Sequence, residues 1–144
     1  MRARHRLVTA LAALALGLPA SASAEDFTFT VPVELASLPA EINYGWAFCD
    51  LVIREPGRSA LSAGNAGRGF TISGGAYRGE VTVAVNASPG IEPARVTHYK
   101  CYLSLAGTLR GERVTYSFRD EGFTLPLPVA PGAPFTPRIE GSVR

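Results

Sequence analysis

Residues that carry chemistry are scarce in this chain. Of its 144 residues, two are histidine, two cysteine, one tryptophan and one methionine, and Lys100 is the single lysine among fourteen basic residues. No Gly-x-Ser-x-Gly elbow surrounds any serine, so a serine-histidine-acid triad would have to be assembled around His98. Strand alternation turns that histidine outward, beside Lys100. Metal centres usually draw on three or four His, Cys, Asp or Glu ligands, and His98 is the one histidine beyond His5. Asp120 and Glu121 are adjacent acids, but they sit in a polar turn closed by Gly122, where solvated carboxylates are the ordinary outcome. Gly64, Gly67 and Gly69 open no helix after a strand, so they make no phosphate loop. The expectation is a chain without catalytic residues, without a metal and without a cofactor.

Long apolar runs are also missing, with one short exception at the start. Arg2, Arg4, His5 and Arg6 precede an apolar stretch from Leu7 to Leu18, and Ala22-Ser23-Ala24 follows Pro19. A basic start, a short apolar middle and small residues at the end make a secretory signal peptide. The stretch falls short of the roughly 20 residues a membrane helix needs. Cleavage is expected after Ala24, so residues 1–24 leave and residues 25–144 form a single domain. The paired arginines of the twin-arginine route are absent, which points to general secretion into the periplasm or the medium. Nothing beyond residue 25 suggests a transmembrane segment. Three arginines lie in the leader, so the formal charge of +2 becomes −1 once it is gone. The remaining arginines are scattered singly, which excludes the basic patch a nucleic-acid partner requires. Asn86-Ala87-Ser88 fits the glycosylation pattern, but Pro89 follows at once and the sequence carries little weight.

The rest of the chain alternates. Phe27, Phe29, Val31, Val33 and Leu35 are spaced by two, a half-buried strand marked as an edge by Pro32. In the stretch from Asn43 to Ile53, Ala47, Cys49, Leu51 and Ile53 share one face. Tyr44, Trp46, Phe48 and Val52 share the other, with Asp50 among them. Arg54 to Gly69 is rich in Gly, Ser, Arg and Ala and reads as a long loop, with room for a short strand near Ala60–Ser62, and as the most mobile part of the domain. Phe70–Ile72, Glu80–Asn86, Thr97–Leu105, Val114–Phe118, Phe123–Val129 and Phe135–Val143 read as further strands, and no segment shows a helical period. Cys49 and Cys101 both fall on the inward side of well-patterned strands. In an exported chain a pair of cysteines reads as one disulfide, here joining Cys49 to Cys101.

Seven to eight short strands in one domain point to an all-β antiparallel β-sandwich, with the disulfide crossing the core between two facing sheets. Tyr99-Lys100-Cys101 resembles the tyrosine placed two residues before the second cysteine in immunoglobulin domains. The likeness implies an immunoglobulin-like architecture and no function. Trp46 departs from it, because that family places its tryptophan after the first cysteine.

One feature invites a ligand. Tyr44, Trp46 and Phe48 line one face of one strand and form the candidate binding residues. Exposed, such a row stacks on sugar rings or anchors a protein; buried, the commoner fate, it is a second layer of core. The expected function is a non-enzymatic exported binding or interaction module with a protein or glycan partner. The alternative is a structural subunit of a surface fibre or envelope assembly, suggested by proline-marked edge strands at both ends.

Overall fold

The computed structural model describes residues 25–120 and 135–143. They form seven strands: β1 (Phe27–Leu35), β2 (Ile42–Ile53), β3 (Leu61–Thr71), β4 (Tyr77–Val85), β5 (His98–Leu109), β6 (Glu112–Ser117) and β7 (Arg138–Ser142). One turn of 3-10 helix spans Pro93–Arg95, and no α-helix occurs among the described residues. No described helix is long and apolar enough to cross a membrane. The expected leader, and the strand expected over Phe123–Val129, lie outside the described residues.

Every pairing is antiparallel. β1 and β4 form a two-stranded sheet, in register from Phe27 opposite Val85 to Leu35 opposite Tyr77. The second sheet runs β3-β2-β5-β6, with β7 beside the first half of β5 and β6 beside its second half. β2 therefore lies between two full-length partners, and the two faces of the strand differ, with Ala47, Cys49, Leu51 and Ile53 buried and Tyr44, Trp46 and Phe48 partly open.

The alternation puts one face of each sheet inside. Val31, Val33 and Leu35 of β1 and Val81, Val83 and Val85 of β4 share a buried cluster with Ala47, Cys49, Leu51 and Ile53 of β2 and Leu103 and Leu105 of β5. Burying each Val, Leu or Ile contributes about 1.5–3 kcal/mol. The connection from β3 in one sheet to β4 in the other turns on Gly74 and Gly75, both at positive φ, inside an isolated Ser73–Ala76 bridge. At the start of the domain, the Asp26 amide donates to Asn86 Oδ1 and the Ala87 amide donates to Asp26 Oδ2, tying the entry of β1 to the end of β4.

Two expectations are corrected. The Cys49–Cys101 disulfide is present, but it does not cross between sheets. Cys49 stands directly opposite Cys101 on neighbouring strands of one sheet, with Cα atoms 4.0 Å apart. That approach belongs to a non-hydrogen-bonded antiparallel pair, in which facing side chains come close enough to bond. Both cysteines still point into the core. The inward pattern on each strand was legible, but pattern alone cannot say whether two inward residues face each other across a core or sit side by side in a sheet.

The second correction concerns the long loop. Most of Arg54–Gly69 is not loop, because β3 begins at Leu61 and pairs with β2 almost throughout, with a register shift between Leu51 and Val52. Glycine depresses strand propensity, but here it makes room. A side chain at Gly67 would enter the Phe48 ring, and one at Gly69 would enter the Tyr44 ring. Large residues on β2 supply the bulk that β3 lacks, so tertiary packing overrides local propensity.

Replacing both cysteines, as Cys49→Ala with Cys101→Ala, removes a covalent closure of 52 residues. Urea unfolding of residues 25–144 is expected to show a loss of about 4 kcal/mol on the chain-entropy account.

Candidate functional site

The outer face of the five-stranded sheet brings together the residues best suited to meet a ligand. Along β2 the outward positions are Tyr44, Trp46, Phe48, Asp50 and Val52, alternating with the buried Ala47, Cys49, Leu51 and Ile53. Across the ladder to β5, Trp46 faces Ser104, Phe48 faces Tyr102, and Asp50 faces Lys100. Across the ladder to β3, Trp46 faces Gly69, Phe48 faces Gly67, and Asp50 faces Asn65. The stripe from Tyr44 to Asp50 is about 20 Å long at strand rise.

The aromatic row is neither core nor fully open. Tyr44 keeps 37 % of its surface, while Trp46 and Phe48 are half-buried. Tyr44 and Trp46 meet edge to face with centroids 4.3 Å apart, and Phe48 stacks on Tyr102 at 5.6 Å. Such contacts fix the rings in place and stabilise each pair by about 0.5–1.5 kcal/mol beyond area burial. The glycines of β3 leave bare backbone along one flank, so the row is held from below and from the side.

The polar end of the stripe is built around Asp50, an ionisable residue that retains only 8 % of its surface. Arg119, just beyond β6, reaches back across 69 residues. Its Nη2 lies 3.1 Å and its Nε 3.2 Å from Asp50 Oδ2. Asp50 Oδ1 is buried and without a hydrogen-bond partner among the described residues. The same guanidinium lies 5.9 Å from the centre of the Tyr102 ring. Lys100 Nζ stands 3.9 Å from Asp120 Oδ1. Asp50 raises the pKa of Arg119 above its ordinary value, with Tyr102 adding to the effect. The phenol of Tyr102 is also pushed up, first by burial and then by the Asp50 charge, against an opposing pull from Arg119. A cavity of about 450 Å³ opens here, lined among others by Asp50, Val52, Ser62, Lys100, Arg119 and Asp120.

His98 has a structural task. Thr97 Oγ1 accepts the Arg54 amide at 2.9 Å and donates to the Val52 carbonyl at 3.2 Å. His98 Nδ1 lies within hydrogen-bond distance of the same hydroxyl, at 2.9 Å. The imidazole thus helps close the end of the β2–β5 pair. Asp120 lies near Lys100, while Glu121 is outside the described residues. Among the described residues, no three His, Cys, Asp or Glu side chains gather where they could hold a metal ion.

The pattern of β2 identified the aromatic row. It did not identify Arg119 as the partner of Asp50 or the glycine flank. One signal was available: an aspartate in the middle of an apolar strand face needs a partner.

Because the folded state holds the Tyr102 phenol neutral more strongly than the unfolded chain does, its contribution to stability is complete below pH 10.0 and is lost as pH rises beyond that. Difference absorbance between the wild type and Tyr102→Phe is expected to show this phenol ionising later than a free tyrosine. Asp50→Asn removes one of the two main causes and is expected to bring the ionisation down. Comparison with known protein families, with curated proteins and with solved structures finds no match to this chain.

Proposed function

We propose that this chain is an exported, non-enzymatic binding module, an immunoglobulin-like β-sandwich in architecture, which engages a glycan through the outer face of its five-stranded sheet. The observation that carries the reading is the outward placement of Tyr44, Trp46 and Phe48 in one stripe that ends in hydrogen-bonding groups. Rings held at fixed positions present apolar faces at low entropic cost, and sugar rings offer matching apolar faces rimmed by hydroxyls. The amino-terminal leader supports export by the general secretory route to the periplasm or medium, and a disulfide is compatible with an oxidising compartment.

Secreted material is expected to begin at Glu25, as checked by amino-terminal sequencing, and an intact Leu7–Leu18 run in it would remove the export reading. Acrylamide is expected to quench Trp46 fluorescence partly, and a saturating glycan is expected to protect it. Trp46→Ala is expected to abolish glycan binding while shifting the unfolding midpoint by only a few degrees. A folded Trp46→Ala protein that binds as well as the wild type sinks the aromatic-row account. Concentration-dependent self-assembly that the same substitution leaves intact favours a structural subunit instead.

A further inference from the structure

We infer that the cavity at the Asp50 end of the aromatic row is an anchoring subsite for a neutral, hydroxyl-rich sugar unit. The inference rests on the glycan-binding reading and assigns it a second set of residues and a ligand class. Four observations lead to it.

The cavity, at about 450 Å³, falls within the size range of small-ligand sites, roughly 300–1,000 Å³. It is continuous with the row, because Asp50 is the next outward residue of β2 after Phe48 and Lys100 is the next outward residue of β5 beside Tyr102. An extended ligand stacked on the rings therefore runs directly into it.

Its wall holds an acceptor in need of a donor. Asp50 retains 8 % of its surface and its Oδ1 has no hydrogen-bond partner among the described residues. A buried carboxylate oxygen left unpaired is costly, and a ligand O–H that reaches it removes the cost. Arg119 holds the other oxygen from a side chain that is 52 % exposed, and a hydroxyl reaches the closed Oδ1 only when a side chain around Asp50 moves aside.

The charges decide what kind of ligand fits. Each cation around the cavity already faces an acid: Arg119 faces Asp50 at 3.1 Å, Lys100 faces Asp120 at 3.9 Å, and Arg54 faces Glu140 at 3.8 Å. A strongly acidic or basic ligand meets one attractive and one repulsive group at every contact. A neutral hydroxyl both donates and accepts, so one sugar hydroxyl gives its hydrogen to Asp50 while another accepts from Lys100 Nζ. Ser62, on the same wall, offers a further group of the same kind.

The test uses the mature chain, residues 25–144, titrated calorimetrically with maltohexaose, cellohexaose and chitohexaose, and with hexagalacturonate as the acidic counterpart. Asp50→Asn and Lys100→Met are compared with the wild type, with folding checked by circular dichroism. At least one neutral oligomer is expected to bind more tightly than the uronate. Each folded variant is expected to weaken that binding about tenfold, the worth of one lost hydrogen bond to a charged group. Should Asp50→Asn fail to fold, Lys100→Met, which keeps the stem and loses the donor, decides alone. Neutral binding that survives in the folded variants but vanishes in Trp46→Ala overturns the subsite and leaves the glycan module standing. A preference for hexagalacturonate overturns the neutral-ligand assignment. Failure of every oligomer to bind, with a protein partner lost on Trp46→Ala, overturns both.

Discussion

The antiparallel contact between β2 and β5 is the constraint on which the rest of the fold depends. It runs along the middle of the larger sheet, from Ile42 opposite Gly107 to Val52 opposite His98. The disulfide locks its register at one rung, Cys49 opposite Cys101. Because side chains alternate along a strand, fixing one rung fixes which residues face the core and which face out. Leu51 and Leu103 go inward with the sulfurs, and Trp46, Phe48, Asp50 and Lys100 go outward together. A slip of one residue would bury the aspartate and lysine against the valines of β1 and β4. The covalent bond thus fixes the composition of the outer face as much as it stabilises a core.

The outer face then acquires its shape from unequal partners. β3 contributes Gly67 and Gly69 where β2 contributes Phe48 and Tyr44, so the rings lean over bare backbone. On the other flank, β5 contributes Tyr102, which stacks on Phe48 and takes the Arg119 guanidinium near its ring. Small on one side and large on the other, these neighbours hold the row at an intermediate depth. Rings at that depth are rigid enough to recognise a partner and open enough to touch one.

Asp50 ties the face to the far end of the chain. Its ion pair with Arg119 links the central strand to the segment leaving β6 and raises the pKa of Arg119, while burial and then the Asp50 charge raise that of Tyr102 against the pull of Arg119. Pairing a largely buried carboxylate with a half-exposed guanidinium satisfies one oxygen and leaves the other wanting a donor. A purely structural ion pair is better served when both oxygens are paired, which is why this corner of the sheet is the place to seek a ligand.

How much was legible beforehand depended on whether the signal was local. Alternation in Phe27–Leu35, in Ala47–Ile53 and in Val81–Val85 marked three strands and their inward faces, because a period of two is imposed by the backbone of each strand alone. The disulfide partners followed from there being two cysteines in the chain. β3 was read as loop, since its glycines are unfavourable in isolation and become suitable only beside Phe48 and Tyr44. Arg119 looked like one more scattered arginine, since nothing near it in sequence reveals an aspartate 69 residues away. The amino-acid sequence by itself determined extended structure, the two-faced character of β2 and the residues able to stack on a ligand. Only the tertiary structure decided that the cystine lies within a sheet, that glycines flank the rings and that Asp50 meets Arg119, because each of these depends on which strand becomes whose neighbour.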